Sequence, residues 1–176
     1  MFYCFFCPHL EFQNYLFTIN RQIKDIEELV NEFSNFARMP RPILKKVELS
    51  QILKRSISLL NLSSKHKLNL VKKNKKFIIL GDEEQLNRVF LNLIKNAVDS
   101  LDEKSKKSKD FKGKIDIEIS DNNDYIVITL MDNGTGVLDT KKAMTPYYTT
   151  KTKGTGLGLP IVLNILSIWL CLGTSL

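Results

Sequence analysis

The sequence predicts an α+β fold in which one long amphipathic helix precedes a mixed domain of helices and strands. Three patterns support this prediction: a heptad repeat from Phe12 to Ala37, an apolar stripe from Gly81 to Leu101, and alternating isoleucines from Lys114 to Ser120. A helical period held over several turns indicates a helix, whereas a period of two indicates a half-buried strand. The 176 residues suffice for one domain of ordinary size plus an appendage.

The first helix is predicted over Phe12–Ala37, where apolar residues recur at alternating steps of four and three. Such a seam is typical of a coiled coil or a four-helix bundle, and it needs a partner helix from the same chain or a second one. Pro40 and Pro42 end the helix. We therefore expect a helical unit over residues 1–40, a linker over residues 41–48 and a second domain over residues 49–176. The seam consists of Phe12, Leu16, Ile19, Ile23, Ile26, Val30, Phe33 and Ala37.

The second domain is predicted to alternate helices and strands. Short runs of β-branched residues bounded by polar turns indicate strands, and the last two strands read as a hairpin. Residues Asp102–Gly113 are rich in Lys, Ser and Asp, and we expect a mobile loop there. Around the stripe Gly81–Leu101, the predicted elements are a helix Ser50–Leu60, two strands Lys67–Val71 and Lys76–Leu80 joined by a turn, and strands Lys114–Ser120 and Tyr125–Met131.

The helix predicted over Gly81–Leu101 has two different faces. Asp82 is suited to cap its N-terminus, and the stripe of Leu, Val, Phe and Ile residues indicates a core-facing side. Asn92 and Asn96 are four residues apart, so both amides project from one side of the helix. Taken alone, they would be read as two solvated asparagines.

Two glycine-rich segments follow this helix. Asp132-Asn-Gly-Thr-Gly136 comes directly after a strand, and Gly154-Thr-Gly156-Leu-Gly158 opens the last helix. Glycine permits positive φ and close approach to backbone, and free N–H groups at a helix N-terminus favour anions. Either segment alone could be a simple turn. Neither contains the Gly-Lys-Ser/Thr of a Walker A loop, and the protein-kinase motifs are absent from the sequence.

In this order and spacing the motifs resemble the N, G1, F and G2 boxes of a sensor histidine kinase. The boxes correspond to Asn92–Ala97, Asp132–Gly136, Pro146–Lys151 and Gly154–Leu159. The helix ending Glu32-Phe-Ser-Asn-Phe-Ala-Arg-Met-Pro40 resembles the second dimerisation helix of that family, and its sequence is most similar to that of the NtrY-like kinases. The resemblance implies a two-layer α/β sandwich that binds ATP, as in gyrase, the heat-shock chaperones and mismatch-repair proteins.

The resemblance also implies ATP and Mg²⁺ as cofactors. Asp132 would act as a buried acceptor for the adenine amino group, Asn96 would hold Mg²⁺ between the phosphates, and Val137–Lys153 would form the nucleotide lid. Gyrase-like ATPases carry a glutamate in the place of Asn92, and an amide cannot serve as that general base. The site therefore suits phosphoryl transfer better than hydrolysis. The other implied nucleotide-binding residues are Arg88, Lys95, Gly134, Gly136, Lys151, Gly154, Thr155, Gly156, Leu157 and Gly158.

The sequence departs from the family at three places. His9 and His66 are not followed by the phosphoacceptor pattern, so we expect both to be ordinary surface histidines and the first dimerisation helix to be absent. The hairpin that completes the sheet is expected to be missing after the last helix. Tyr147 and Tyr148 stand where the F box has phenylalanine. We therefore expect a truncated kinase that binds ATP but does not autophosphorylate alone.

The expected partners follow from this interpretation. They are ATP, a second copy or a kinase fragment that carries the phosphoacceptor histidine, and, indirectly, a response regulator. Two alternatives remain: a non-catalytic helical interaction module, and a decayed remnant that does not fold stably. A zinc site at Cys4 and Cys7 is not expected because a second ligand pair is lacking. We expect a cytoplasmic protein with no nucleic-acid partner and no membrane span.

Overall fold

The computed structural model describes residues 8–37, 40–60, 66–72, 76–121, 125–151 and 154–173. The chain forms two compact units that divide between Met39 and Pro40. Cys4 and Cys7, the pair considered for zinc, lie outside the described residues. The structure thus bears on the helix of the first unit and on the mixed second unit.

The first unit contains helix α1, Pro8–Ala37. The predicted helix is confirmed and begins four residues earlier, with proline at its first position, where its missing N–H would have no helical partner in any case. The apolar seam is exposed to solvent in this chain: Phe12 is 59% exposed and Ile26 is 60% exposed. The seam is therefore a continuous apolar surface along one side of the helix.

The second unit is a mixed assembly of helices and strands, which confirms the α+β class. The elements are β1 Lys45–Glu48, α2 Leu49–Leu59, β2 His66–Lys72, β3 Ile78–Gly81, α3 Glu83–Lys107, β4 Gly113–Asp121, β5 Ile126–Asp132, α4 Thr140–Ala143 and α5 Gly158–Gly173. Strand β1 pairs antiparallel with β3, while β4 lies between β2, which runs parallel to it, and β5, which runs antiparallel.

The core lies between α3 and one face of the three-stranded sheet. Strand β4 alternates strictly, and its Ile115, Ile117 and Ile119 are 0–1% exposed. These isoleucines belong to the same core as Ile94 and Leu101 of α3, which are both 0% exposed. Helices α2 and α5 pack against α3 in the helical layer. Because one helical layer covers one face of the sheet, the polar side of α3 is left for other contacts.

The prediction placed two strands joined by a turn before α3, and it did not specify how they pair. Both strands are observed, the turn falls on residues outside the described ranges, and β2 pairs with β4 while β3 pairs with β1. Strand β1 itself lies within the segment expected to be a linker, and Val47 is among its buried residues. This difference arises because strand pairing is decided by distant segments that a local pattern does not reveal.

Helix α3 continues through the segment expected to be a mobile loop and ends only at Lys107. An ion pair of 2.7 Å joins Lys107 to Glu103, one turn earlier. The hydrogen bond from Lys107 lowers the pKa of the Glu103 carboxyl. Three lysines also occupy the last turn, where their positive charge interacts favourably with the negative end of the helix dipole. The helix thus continues beyond its last buried residue, Leu101, with charges that favour its C-terminal end.

Helix α5 begins at Gly158, and its first half is well buried through Ile161, Val162 and Ile165. Within the described ranges, no helix combines the length and hydropathy that crossing a membrane requires. Helix α5 packs against α3.

Candidate functional site

The candidate site is built along one side of α3. Asp82 caps the helix as predicted: its Oδ1 accepts hydrogen bonds from the backbone N of Glu84 at 2.9 Å and of Gln85 at 3.0 Å. Its other oxygen, Oδ2, accepts from the backbone N of Ile43 at 2.7 Å. The start of the helix is thus fastened to the preceding segment, and the apolar stripe fixes its rotation.

The first glycine loop begins at Asp132, the last residue of β5. Its Oδ1 accepts a hydrogen bond from the backbone N of Gly134 at 2.9 Å, whereas Oδ2 accepts none from the described residues. Asp132 was expected to be buried, but it is exposed. The reason is that Asp132 is the last residue of β5, a strand in which no residue is fully buried. The carboxylate therefore presents a free oxygen at an open surface.

Two residues of α3 that sequence reasoning missed hold this loop. Ser100 Oγ accepts a hydrogen bond from the backbone N of Thr135 at 2.9 Å. Lys104 Nζ donates to the carbonyl oxygens of Asn133 at 2.6 Å and Gly134 at 3.1 Å. Both residues continue the four-residue rhythm that starts with Asn92 and Asn96, and that rhythm was the available signal.

The glycines of the first loop have different structural reasons. Gly136 has φ +71°, and no described atom lies within 4 Å of the position that a Cβ would take. Gly134 is not in the left-handed region; instead, a Cβ there would lie 2.2 Å from Ser100 Oγ and 2.8 Å from the Ser100 carbonyl carbon. Gly134 thus allows the loop to contact α3, while Gly136 turns beside open space.

Asn133, between these residues, ties the loop to the sheet. Its Oδ1 accepts a hydrogen bond from the backbone N of Lys114 at 2.8 Å, and its Nδ2 donates to the carbonyl oxygen of Lys112 at 3.1 Å. The loop is therefore held from two directions, by the start of β4 and by α3.

The second glycine loop contacts the amides of the same helix. A Cβ on Gly158 would lie 3.4 Å from Asn92 Oδ1 and 3.6 Å from Asn96 Nδ2. Leu157 is 0% exposed and anchors the loop in the core. Thr155 Oγ1 accepts a hydrogen bond from the backbone N of Leu157 at 3.4 Å. Both amides of α3 thus lie beside the N-terminus of the last helix.

The aromatic pair that replaces the F-box phenylalanine packs against this loop through its backbone. Tyr147 has φ +66°, an uncommon conformation for a residue with a Cβ. Its backbone N donates to the carbonyl oxygen of Gly156 at 3.1 Å. Gly156 has φ +69°, and a Cβ there would lie 2.5 Å from the Tyr147 carbonyl carbon and 2.7 Å from Tyr148 N. Only glycine fits between these chain segments.

The charged residues predicted for the site occupy different positions. Lys151 Nζ donates to Asn96 Oδ1 at 3.0 Å and forms an ion pair with Asp99 Oδ2 at 2.8 Å. Arg88 is half-buried and has an interaction partner, whereas Lys95 is exposed on the surface of α3. Gly154 lies against Thr149, whose Oγ1 would be 2.4 Å from an added Cβ. Of the three predicted cations, Lys151 contacts the row of amides directly.

His66 is a correction to the expectation of surface histidines. Its side chain is 6% exposed, and its Nε2 lies 2.9 Å from Asp102 Oδ1. Its Nδ1 is buried without a hydrogen-bond partner among the described residues. The ring is buried because it packs against Gly113, where a Cβ would lie 2.2 Å from Nδ1. His66 is therefore a structural residue at the start of β2.

The part of the chain that the structure describes contains no group of three or more His, Cys, Asp or Glu residues that could hold a metal ion.

Comparison with known proteins identifies the family. The profile described as "Histidine kinase-, DNA gyrase B-, and HSP90-like ATPase" matches residues 81–171. The chain is 37% identical over 159 residues to the putative sensor histidine kinase NtrY-like of Rickettsia conorii, covering 89% of this chain and 26% of that protein. It is 33% identical over 153 residues to the nitrogen regulation protein NtrY of Azorhizobium caulinodans, covering 85% and 20%.

Among solved structures, full-length ShkA in complex with AMPPNP resembles the chain with a TM-score of 0.69 and 20% identity, over 89% of this chain and 34% of ShkA. At that identity the likeness supports the fold. The chain spans about a quarter of the length of the first curated relative that it matches. These findings do not favour the alternative of a non-catalytic interaction module. The chain belongs to the histidine kinase-, DNA gyrase B- and HSP90-like ATPase family, and it contains the ATP-binding domain of a two-component sensor histidine kinase related to the NtrY-like proteins.

Proposed function

We propose that the second unit holds Mg-ATP for phosphoryl transfer to a histidine supplied by another chain. One observation carries this proposal: both glycine loops contact the same side of α3. The second loop lies against Asn92 and Asn96, and the first loop lies against Ser100, one helical turn further along. A nucleoside triphosphate needs an acceptor for the base, oxygen ligands for its cation and N–H donors for its phosphates. These three kinds of group succeed one another along this side of the helix.

The base would bind at the first loop. Asp132 Oδ2 is the free acceptor for an adenine amino group, because the Gly134 amide occupies Oδ1. The open space beside Gly136 would accommodate the base and sugar against the backbone. The exposure of Asp132 is consistent with this role, since a bound base would itself cover the carboxylate.

The phosphates and Mg²⁺ would bind at the second glycine loop, beside Asn92 and Asn96. Asn96 Oδ1 already accepts a hydrogen bond from an ammonium group, which supports its suitability as a ligand for a hard cation. The loop Gly154–Gly158 would face the phosphates with the amides of Gly156 and Gly158, since the Gly154 amide donates to the carbonyl oxygen of Lys151, and residues 137–153 would form the lid. Asn92, Arg88, Lys95 and Lys151 would lie along the phosphate chain, with Thr155 and Leu157 supporting the loop.

The proposed reaction depends on the identity of Asn92, the first of the polar residues along this side of α3. Asn92 lies against the start of α5, near the proposed phosphates, and its amide cannot accept a proton from an attacking water. The site is thus suited to keeping ATP intact until a better nucleophile arrives. His66 is not that nucleophile, because its side chain is 6% exposed and hydrogen-bonded to Asp102.

A fluorescent ATP analogue, titrated into the full chain with Mg²⁺, tests the proposed binding site. We expect Asp132→Ala to abolish saturable binding, because the variant removes the acceptor for the base. Asp110→Ala is the matched control, since Asp110 is an exposed carboxylate outside the site. Equal binding by wild type and Asp132→Ala would show that the nucleotide binds elsewhere.

Thermal melts provide a second measurement. A ligand that binds only the folded state stabilises it by about 2.7 kcal/mol at a concentration of 100 times its Kd. Mg-ATP should therefore raise the midpoint of the wild type but not that of Asn96→Ala at the same concentration. The same shift in both proteins would exclude Asn96 from the proposed cation site.

The histidine in trans is tested with γ-labelled ATP. The chain alone should acquire no acid-labile label. When it is mixed with a fragment of a related kinase that carries the phosphoacceptor helix, the label should appear on that fragment. The exposed seam of α1 is the proposed surface for pairing with such a helix or with a second copy. Label on His9 or His66 would contradict the proposal.

A further inference from the structure

The Lys151 side chain contacts Asn96 at the oxygen atom that is proposed to bind Mg²⁺. Its Nζ lies 3.0 Å from Asn96 Oδ1 and 2.8 Å from Asp99 Oδ2. The side chains of Lys151 and Asp99 are 34% and 40% exposed, so the ion pair is partly shielded from water. One ammonium group therefore bridges an amide oxygen and a carboxylate that lie one turn apart on α3.

This ammonium cannot keep both contacts when a divalent cation binds Asn96. Mg²⁺ approaches its oxygen ligands to about 2.0–2.1 Å, and its charge repels an ammonium group bound to the same oxygen. The Lys151 side chain would then leave Asn96, and its charge would pair with a phosphate of the bound nucleotide. Lys151 is well placed for this exchange because its backbone is tied to the second loop through hydrogen bonds with Thr149 and Gly154.

Asp99 is the residue that determines where the ammonium rests. Asn96 offers only a neutral oxygen, whereas Asp99 offers a full negative charge at 2.8 Å. We propose that Asp99 is a positioning residue that holds Lys151 over Asn96 while no nucleotide is bound, so that Mg-ATP binds only by displacing an internal cation. This inference rests on the proposed function, and it adds that the Lys151 ammonium competes with Mg²⁺ for Asn96.

A zero-length carbodiimide cross-link tests the exchange directly. In the nucleotide-free chain, Asp99 and Lys151 are close enough to be joined, and peptide mass spectrometry would detect the product. Saturating Mg-ATP should reduce this cross-link in proportion to occupancy. Glu103 and Lys107, 2.7 Å apart on the same helix, provide the matched control pair, whose cross-link should not change.

A double-mutant cycle tests the role of Asp99 by affinity. Asp99→Asn should tighten binding of the fluorescent ATP analogue by up to about five-fold, the measured range for a partly exposed ion pair. The gain should vanish in a Lys151→Met background. A gain of equal size in both backgrounds would indicate general charge repulsion and overturn the inference, as would a loss in the Asp99→Asn single variant.

The outcomes separate this inference from the proposed function. If wild type binds the analogue at the proposed site but Mg-ATP leaves the Asp99–Lys151 cross-link unchanged, the exchange is wrong and the nucleotide site stands. If no variant binds the analogue while the cross-link forms, the proposed function fails, and the inference that rests on it fails too.

Discussion

Gly156 and Gly136 form a matched pair that tests the geometry of the two loops. Both have left-handed backbone, with φ +69° and φ +71°. They differ in their surroundings: a Cβ on Gly156 would lie 2.5 Å from the carbonyl carbon of Tyr147, whereas a Cβ on Gly136 meets no described atom within 4 Å. Substitution by alanine therefore imposes the same backbone strain at both positions and a steric clash at only one.

The magnitudes follow from these two effects. A left-handed conformation costs an L-residue roughly 1–2 kcal/mol. Replacing glycine also lowers the conformational entropy of the unfolded chain, which offsets about 0.4–1 kcal/mol of that cost. Gly136→Ala should thus reduce the free energy of unfolding by about 1 kcal/mol. Gly156→Ala should lose a further ~1–3 kcal/mol, the usual cost of forcing extra atoms into a packed site.

Urea unfolding of the full chain measures this difference. Trp169, the only tryptophan of the chain, belongs to α5, so its fluorescence reports on the second unit. Titration with the fluorescent ATP analogue should show weaker binding for both variants, because the Gly136 methyl group would enter the space proposed for the nucleotide. Equal losses of stability, or a larger loss for Gly136→Ala, would refute the packing of Gly156 against Tyr147.

Three further predictions concern two contacts of α3 and one of β4. Ser100→Ala should lower the free energy of unfolding by about 1 kcal/mol through loss of a hydrogen bond, and should weaken nucleotide binding as well; unchanged urea curves would contradict this. Asp102→Ala should cost roughly 1–3 kcal/mol, because the buried His66 ring loses its partner, and a melt is the measurement. The hydrogen bond from Lys114 holds the pKa of Asp116 below its ordinary value. Since a lowered folded pKa stabilises the protein above the unfolded pKa, Asp116→Asn should be destabilising near neutral pH, and the effect should disappear as the pH falls through the folded pKa of Asp116, as followed by urea unfolding over that range.

Helical periodicity predicted the elements that the site is built on. The stripe through Ile94 and the cap at Asp82 required only neighbouring residues, so α1, α2 and α3 were confirmed to within a few residues at most ends. The hairpin of β4 and β5 was confirmed for the same reason, since a short polar turn separates two alternating runs. The end of α3 was missed because Glu103 and Lys107 stabilise it without apolar periodicity.

Long-range contacts could not be predicted in the same way. The burial of His66 depends on Asp102 and on the absence of a side chain at Gly113, which are distant in sequence. The exposure of Asp132 depends on the partial cover of β5, in which no residue is fully buried. Ser100 and Lys104 carry ordinary surface side chains, and only their spacing from Asn96 distinguishes them. The left-handed backbone of Tyr147 has no sequence signal that would identify it in a tyrosine.

The attachment of both loops to one helix has a consequence for how this domain can diverge. An extra residue between Asn96 and Ser100 would rotate the remainder of α3 by about 100° and direct Ser100 and Lys104 away from their loop. Point substitutions can be absorbed one at a time, but an insertion or deletion in these turns would separate the two halves of the site at once. The length of this helix should therefore be far less variable among descendants of the sequence than the identity of its exposed residues.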